Sequence, residues 1–229
     1  MKSIYQLALG ERYERLHPKL QEKFGLTSTC GRAAISHGTM EEIRGGWAFL
    51  RPLFYLGTKR RMVFPERGRH IPFRLENYAY RDSYARECVI WARAFQFPTR
   101  TRHFDAVMVY NRQKKSIVDY FGSHQDFVSD LELNILEDGG IRIVSTGQWM
   151  LIGQTSVRLP AWLRADADVT ERYHEDADMF SIHVRVRNPL IGTLFEYIGR
   201  FRTSYIDISP GEVPGRVKPV KERSLEGEI

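Results

Sequence analysis

The 229-residue sequence has two cysteines, Cys30 and Cys88, which lie far apart. Without a CxxC pair, a cysteine-based zinc site is not expected, and buried free thiols are expected. The seven histidines, His17, His37, His70, His103, His124, His174 and His183, form no HxH or HExxH spacing. The usual signatures of a metal centre are therefore missing, and no metal or cofactor is expected. There is no GxSxG elbow, and Ser145 and Ser181 fall within strand-like segments that present a nucleophile poorly. Long apolar runs are missing too. The longest stretch without a charge, Ile143 to Val157, is 15 residues and contains Ser, Thr and Gln. It is too short and too polar to span a bilayer, so no integral membrane insertion is expected. No apolar leader with a cleavage site follows Met1-Lys2, which makes a cytoplasmic, reduced setting the expectation.

Basic residues number 34 and acidic residues 28, a net charge of +6, with arginine far ahead of lysine. That excess is modest for the length. Its local clusters, Lys59-Arg60-Arg61 and Arg112-Gln113-Lys114-Lys115, suit turns. The aromatics, 12% of the chain, fall in core-like patterns and no RNA- or DNA-binding motif occurs, so nucleic acid is not an expected partner. A hydrophobic fraction of 42% and a charged fraction of 27% describe an ordinary globular chain.

The segment up to Gly25 reads as helical. Leu9, Tyr13, Leu16, Leu20 and Phe24 line one face, Ser3 with Gln6 fits a capping box, and Pro18 divides two short helices, about Ile4 to Leu16 and Pro18 to Phe24. Beyond Gly25 the period becomes two. Cys88 to Phe97 sets Val89, Trp91, Arg93, Phe95 and Phe97 on one face. Further strands are expected over Arg102–Tyr110, Ser116–Phe121, Phe127–Leu136, Ile141–Ile152, Asp168–His174 and Met179–Arg187. Short turns such as Glu137-Asp138-Gly139-Gly140 join them, so neighbours run antiparallel. Two apolar segments, Trp47 to Leu56 and Pro189 to Phe195, read as short helices or lids, and Val157 to Leu163 as a flap. The expected fold is mainly β: an antiparallel barrel or strongly curled sheet with N-terminal helices packed against it, because so large a sheet must hide its edges. Residues 1–208 would form a single β-rich domain and residues 209–229, rich in Pro, Gly and charge, a loose C-terminal tail.

The opening SIYQLALGERYERLHPKLQEKFG, then FDAVMVYN, IVDYFGSHQDFVSDLEL and NPLIGTLFEYIGRF stand in an order that resembles a bacterial family known as domain of unknown function 4166. The resemblance runs from about Ile4 to Ile208. In that family the place of Gly122-Ser123-His124 usually reads Gly-Leu-His, so this chain departs at Ser123 and keeps the histidine. The family has no established activity. It occurs alone or fused to nucleotide-dependent reductase- or epimerase-like modules, which implies a ligand-handling or accessory role beside such an enzyme.

Arg93 is the most telling candidate residue, because it shares a strand face with Trp91 and Phe95. Burying a guanidinium without a partner costs several kcal/mol, so an inward arginine calls for a carboxylate from the protein or from a ligand. His124 follows Gly122 at a strand end and precedes Asp126, where it could meet a ligand or act as a general base. Trp149 and Trp162 could complete an apolar wall. The expected partner is a small amphipathic or acidic molecule held in a barrel cavity by Arg93, His124, Trp91, Phe95, Trp149 and Trp162. The alternatives are an isomerase, cyclase or hydrolase using His124 with Asp126, or an interaction module for a metabolic enzyme.

Overall fold

The computed structural model describes residues 1–153 and 155–225. Twelve strands occur among them: β1 Arg32–Gly45, β2 Gly68–Arg81, β3 Glu87–Phe97, β4 Arg100–His103, β5 Ala106–Asn111, β6 Ser116–Phe121, β7 Phe127–Ile135, β8 Ile141–Ile152, β9 Thr155–Arg158, β10 Asp166–His174, β11 Met179–Asn188 and β12 Gly192–Asp207. Neighbouring strands pair antiparallel in the order β10-β11-β12-β1-β2-β3-β5-β6-β7-β8. β8 then returns to β10, with Val144 opposite Asp168 and Ile141 opposite Glu171. That pairing closes a ten-strand barrel and removes both free edges. β4 and β9 are short additions on β3 and β8. The expected barrel is therefore the fold.

The N-terminal helices close one end of the barrel. α1 (Ile4–Leu9) begins with the Ser3/Gln6 capping box, a 3-10 segment covers Gly10–Arg15, and α2 is Pro18–Phe24. From this cap the Tyr5 hydroxyl accepts a hydrogen bond from the Trp91 indole at 2.9 Å and donates to the Met108 sulfur at 2.9 Å. Lys23 enters with it. Its ammonium meets the Glu171 carboxylate of β10 at 2.5 Å, with both side chains 1% exposed, and lies 4.6 Å from the Trp91 ring centre. Burial draws the Lys23 pKa down while Glu171 opposes it. The attraction between the two offsets much of what desolvation costs.

On β3 the alternation holds: Val89, Trp91 and Phe95 join the interior cluster. Phe73, Phe95 and Tyr197 pack in the middle of that cluster, with ring centres 5.1 and 5.2 Å from Phe95. The opposite face of β3, Cys88, Ile90 and Ala92, is buried as well, beneath Val217 and Leu225 of the C-terminal segment. Cys88 is thus a buried free thiol, whereas Cys30 is exposed.

Three expectations are revised. The segment read as one strand over Arg102–Tyr110 is interrupted at Phe104-Asp105, where an Asp105 carboxylate oxygen accepts the Arg93 backbone N–H. Pro189 to Phe195 is neither helix nor lid throughout. The Asn188 side chain caps the N–H groups of Leu190 and Ile191, and β12 starts at Gly192. Residues 209–225 lie against the outer face of the barrel. Arg216 grips both oxygens of the buried Glu76 at 2.5 and 2.6 Å. Glu222 accepts from the Tyr80 hydroxyl and the Ser83 N–H, and Arg223 bonds to Asp126. The charged residues that make this segment look like a free tail are its anchors.

Two outcomes are expected from this packing. Lys23→Met should cost about 3–5 kcal/mol in urea denaturation by leaving Glu171 buried and unpaired, and Lys23→Met with Glu171→Leu should recover most of that loss. A chain ending at Ile208 should melt lower and bind a hydrophobic dye, since it exposes the apolar outer face of β3, β5 and β6. An unchanged melting temperature would show that the strap is dispensable.

Candidate functional site

The strands turn a few polar groups into the barrel. Asp119 on β6 stands opposite Ser129 on β7, and Ser129 stands opposite Gln148 on β8. Across from this row, Arg93 projects from β3. A void of about 30 Å³ between them is lined by Arg93, Asp119, Trp91, Met108, Ile143 and Val184. Above it lies a larger cavity of about 170 Å³, walled by Phe54, Met62, Leu159, Leu163, Leu194 and Phe195. Phe104, Phe121, Ala167 and Val186 line both, so the void is the floor of the cavity. α3 (Arg51–Thr58) and the 3-10 turn Ala161–Leu163 lie over its mouth. Phe54 is the buried residue of α3.

The floor is electrostatically unusual. Arg93 is 5% exposed. Its guanidinium donates one hydrogen bond, to the Tyr197 hydroxyl at 3.3 Å, and sits 4.4 Å from the Phe104 ring centre. Its Nε has no partner, and among the described residues no carboxylate forms an ion pair with it. Asp119 is 4% exposed and one of its oxygens is also without a partner. Burial pushes its pKa up to about 7, against the pull of Arg93. Asp105, which fastens the Arg93 backbone, is raised to about 6 by burial, with Arg61 and Arg93 opposing. Ser129 Oγ, midway up the wall, is likewise buried without a partner. Most buried polar atoms find partners, so three unpartnered ones along one connected cavity call for a physical account.

Of the residues singled out in the sequence, Arg93 and Trp91 lie together on the cavity floor. Phe95 is fully buried among Phe64, Phe73 and Tyr197, where it fills the barrel. Trp149 borders the mouth, but its ring packs on the outer face with the Lys114 ammonium 4.7 Å from its centre. Trp162 is 62% exposed at the rim. His124 lies in the turn after β6, where its ring bonds to Ser123 Oγ at 3.0 Å and its carbonyl accepts from Arg223. It is not brought beside Arg93. Asp126 is engaged by Arg60 at 2.8 Å and Arg223 at 2.9 Å, so its carboxylate is tied to two arginines and not to the histidine. Gly122 explains why this turn is tight: its φ is +74°, and a Cβ would meet the Arg60 carbonyl at 2.4 Å. Sequence reasoning passed over Asp119, Ser129, Gln148 and Tyr197. A lone acid inside the apolar run IVDYF was the available signal for Asp119.

A closed antiparallel barrel with a polar floor and an apolar mouth is thus the kind of protein that fold and site define. The model of the family described as Domain of unknown function (DUF4166) matches residues 16–201, and the chain belongs to that family. It is 37% identical over 202 residues to an uncharacterised protein, YndH, of Bacillus subtilis (strain 168), a match that covers 88% of this chain and 97% of the relative. Among the described residues there is no group of three side chains suited to hold a metal ion, and no helix is long and apolar enough to cross a membrane.

The raised pKa of Asp119 carries a signed consequence. Between its ordinary value of 3.8 and about 7 the folded chain holds a proton that the unfolded chain has released. Its contribution to stability is therefore present in acid and is lost as pH rises through that window. Asp119→Asn removes this loss. The stability difference between variant and parent, from denaturation at each pH, should grow in the variant's favour from about pH 4 to 7, by a few kcal/mol at most, and level off above. A difference independent of pH would mean that Asp119 does not titrate in this range.

Proposed function

We propose that the barrel binds a small amphipathic carboxylic acid, with the carboxylate on Arg93 and the apolar body in the mouth cavity. The observation that carries this reading is the buried Arg93 guanidinium, which faces the void with its Nε unpartnered and no carboxylate paired to it. A guanidinium kept out of water in this way gains most from an incoming carboxylate, which it can grip through two parallel N–H donors. Ser129 Oγ on the cavity wall supplies a further polar contact, and the Tyr197 hydroxyl behind Arg93 accepts from its guanidinium. The apolar wall favours a hydrocarbon or aromatic body. A cavity near 150 Å³ admits a guest of about benzene size. The 170 Å³ here suits a short acyl chain or an aromatic acid, with any longer tail reaching out between α3 and the 161–163 turn.

Asp119 sets the pH dependence of this reading. Protonated, it leaves the Arg93 charge to the guest; ionised, above about pH 7, it competes for that charge. Isothermal titration with medium-chain fatty acids and aryl carboxylates should detect binding that weakens from pH 6 to 8. Arg93→Met, which keeps the side-chain bulk, should abolish binding while the far-ultraviolet circular dichroism stays unchanged. Asp119→Asn should retain binding at pH 8. Undiminished binding by Arg93→Met, or no binding of any acid by the parent chain, would refute the reading.

A further inference from the structure

The mouth of the barrel is ringed by apolar side chains with nothing over them. Trp47, Phe49, Leu53, Leu56, Trp162 and Leu190 are each at least 60% exposed. They come from three segments that the fold ties into one rim. The Trp47 indole donates to the Ile191 carbonyl at 2.9 Å. The Asn188 amide donates to the carbonyls of Trp162 at 3.0 Å and Arg164 at 2.8 Å, while its oxygen accepts from the Leu190 N–H. Phe54 of α3 and Leu163 of the 3-10 turn line the same cavity. Single exposed apolar residues need no explanation, but a contiguous set around an opening does.

Charge tells what this rim meets. Residues 46–64, 152–164 and 187–195 contain no Asp or Glu, and they hold Arg51, Lys59, Arg60, Arg61, Arg158, Arg164 and Arg187. Arg51, Lys59, Arg158 and Arg187 are exposed and carry no ion pair among the described residues. A second copy of the chain set rim to rim would bring these like charges together. A surface of anionic headgroups over hydrocarbon instead matches both features: the tryptophans and leucines enter the headgroup boundary, and the cations meet the phosphates. We infer that this rim is a docking surface for an anionic lipid membrane, on which the barrel sits with its mouth against the bilayer.

The test is cosedimentation of the full chain with phosphatidylcholine vesicles, with and without phosphatidylglycerol. Binding is expected only to the anionic vesicles, reduced by high salt, with a blue shift of tryptophan emission that Trp162→Phe diminishes. Leu53→Asp with Leu56→Asp should cut partitioning at least about tenfold, and so should Arg51→Glu with Lys59→Glu, since each cation near an anionic surface contributes about fivefold. All four side chains are exposed, so folding should be untouched, as a melting curve checks. Arg93→Met should dock like the parent chain, which separates failure of this inference from failure of the acid-binding reading. Equal binding to neutral vesicles, or full binding by the charge-reversed variant, would overturn it. So would a stable dimer in solution that the leucine variant dissociates, with no recovery on vesicles, because the rim would then be a contact between copies.

Discussion

Everything in this molecule depends on the pairing of β8 with β10. Four residue positions on each strand close the sheet, and once it is closed the side chains have an inside. An open sheet of this width would show two unpaired edges and leave one apolar face to be covered by other elements. Closure settles both matters at once and sets a new condition. The interior must be filled, capped or occupied, and its polar groups have no water to turn to.

The barrel meets that condition unevenly. On the side of β2, β3 and β12, Phe73, Phe95, Tyr197 and Phe201 interlock, and α2 pushes Phe24 and Lys23 in beneath them. On the side of β7, β8 and β10 the inward residues include Ser129, Ser145 and Ala167. The cavity opens where the side chains are small. Buried charge is handled in two ways. Lys23 and Glu171 are given to each other, whereas Arg93 and Asp119 are not paired, although both face the same void. A fold that places one ion pair with care a short distance away is able to satisfy its charges, which makes the unpaired ones more telling.

How much of this could be read from the sequence depends on parity. On β3, large aromatics on one face fixed which way Arg93 points, and the alternation was sufficient. On β6 it was not, because Val118 and Tyr120 are buried on the outer face just as Ile117 is buried inside. Where both faces are covered, alternation no longer tells in from out, and Asp119 passed for an ordinary strand residue. On β8 a bulge intervenes. Asp130 faces Gly147 and Leu131 faces Ser145, so Thr146 is an extra residue. One inserted residue reverses every side chain beyond it, which sends Gln148 inward and the Trp149 ring outward. The cover over the outer face was hidden for a related reason: residues 209–225 hold on by arginine and glutamate, which read as solvent-loving when their partners on β2 and in the turn after β6 are unseen.

The site is graded from floor to rim. Arginine and aspartate lie at the bottom, one hydroxyl stands midway, phenylalanine and leucine form the neck, and exposed tryptophan and leucine with unpaired cations surround the opening. Each level, taken singly, has an ordinary explanation in packing. Their order along one axis does not, because packing alone gives no reason for polarity to fall toward the mouth and for carboxylates to be missing from all three rim segments. An amphipathic guest that leads with its acid group would be matched at every depth, and a bilayer surface would be matched at the rim, so a single gradient accounts for features that otherwise need separate causes.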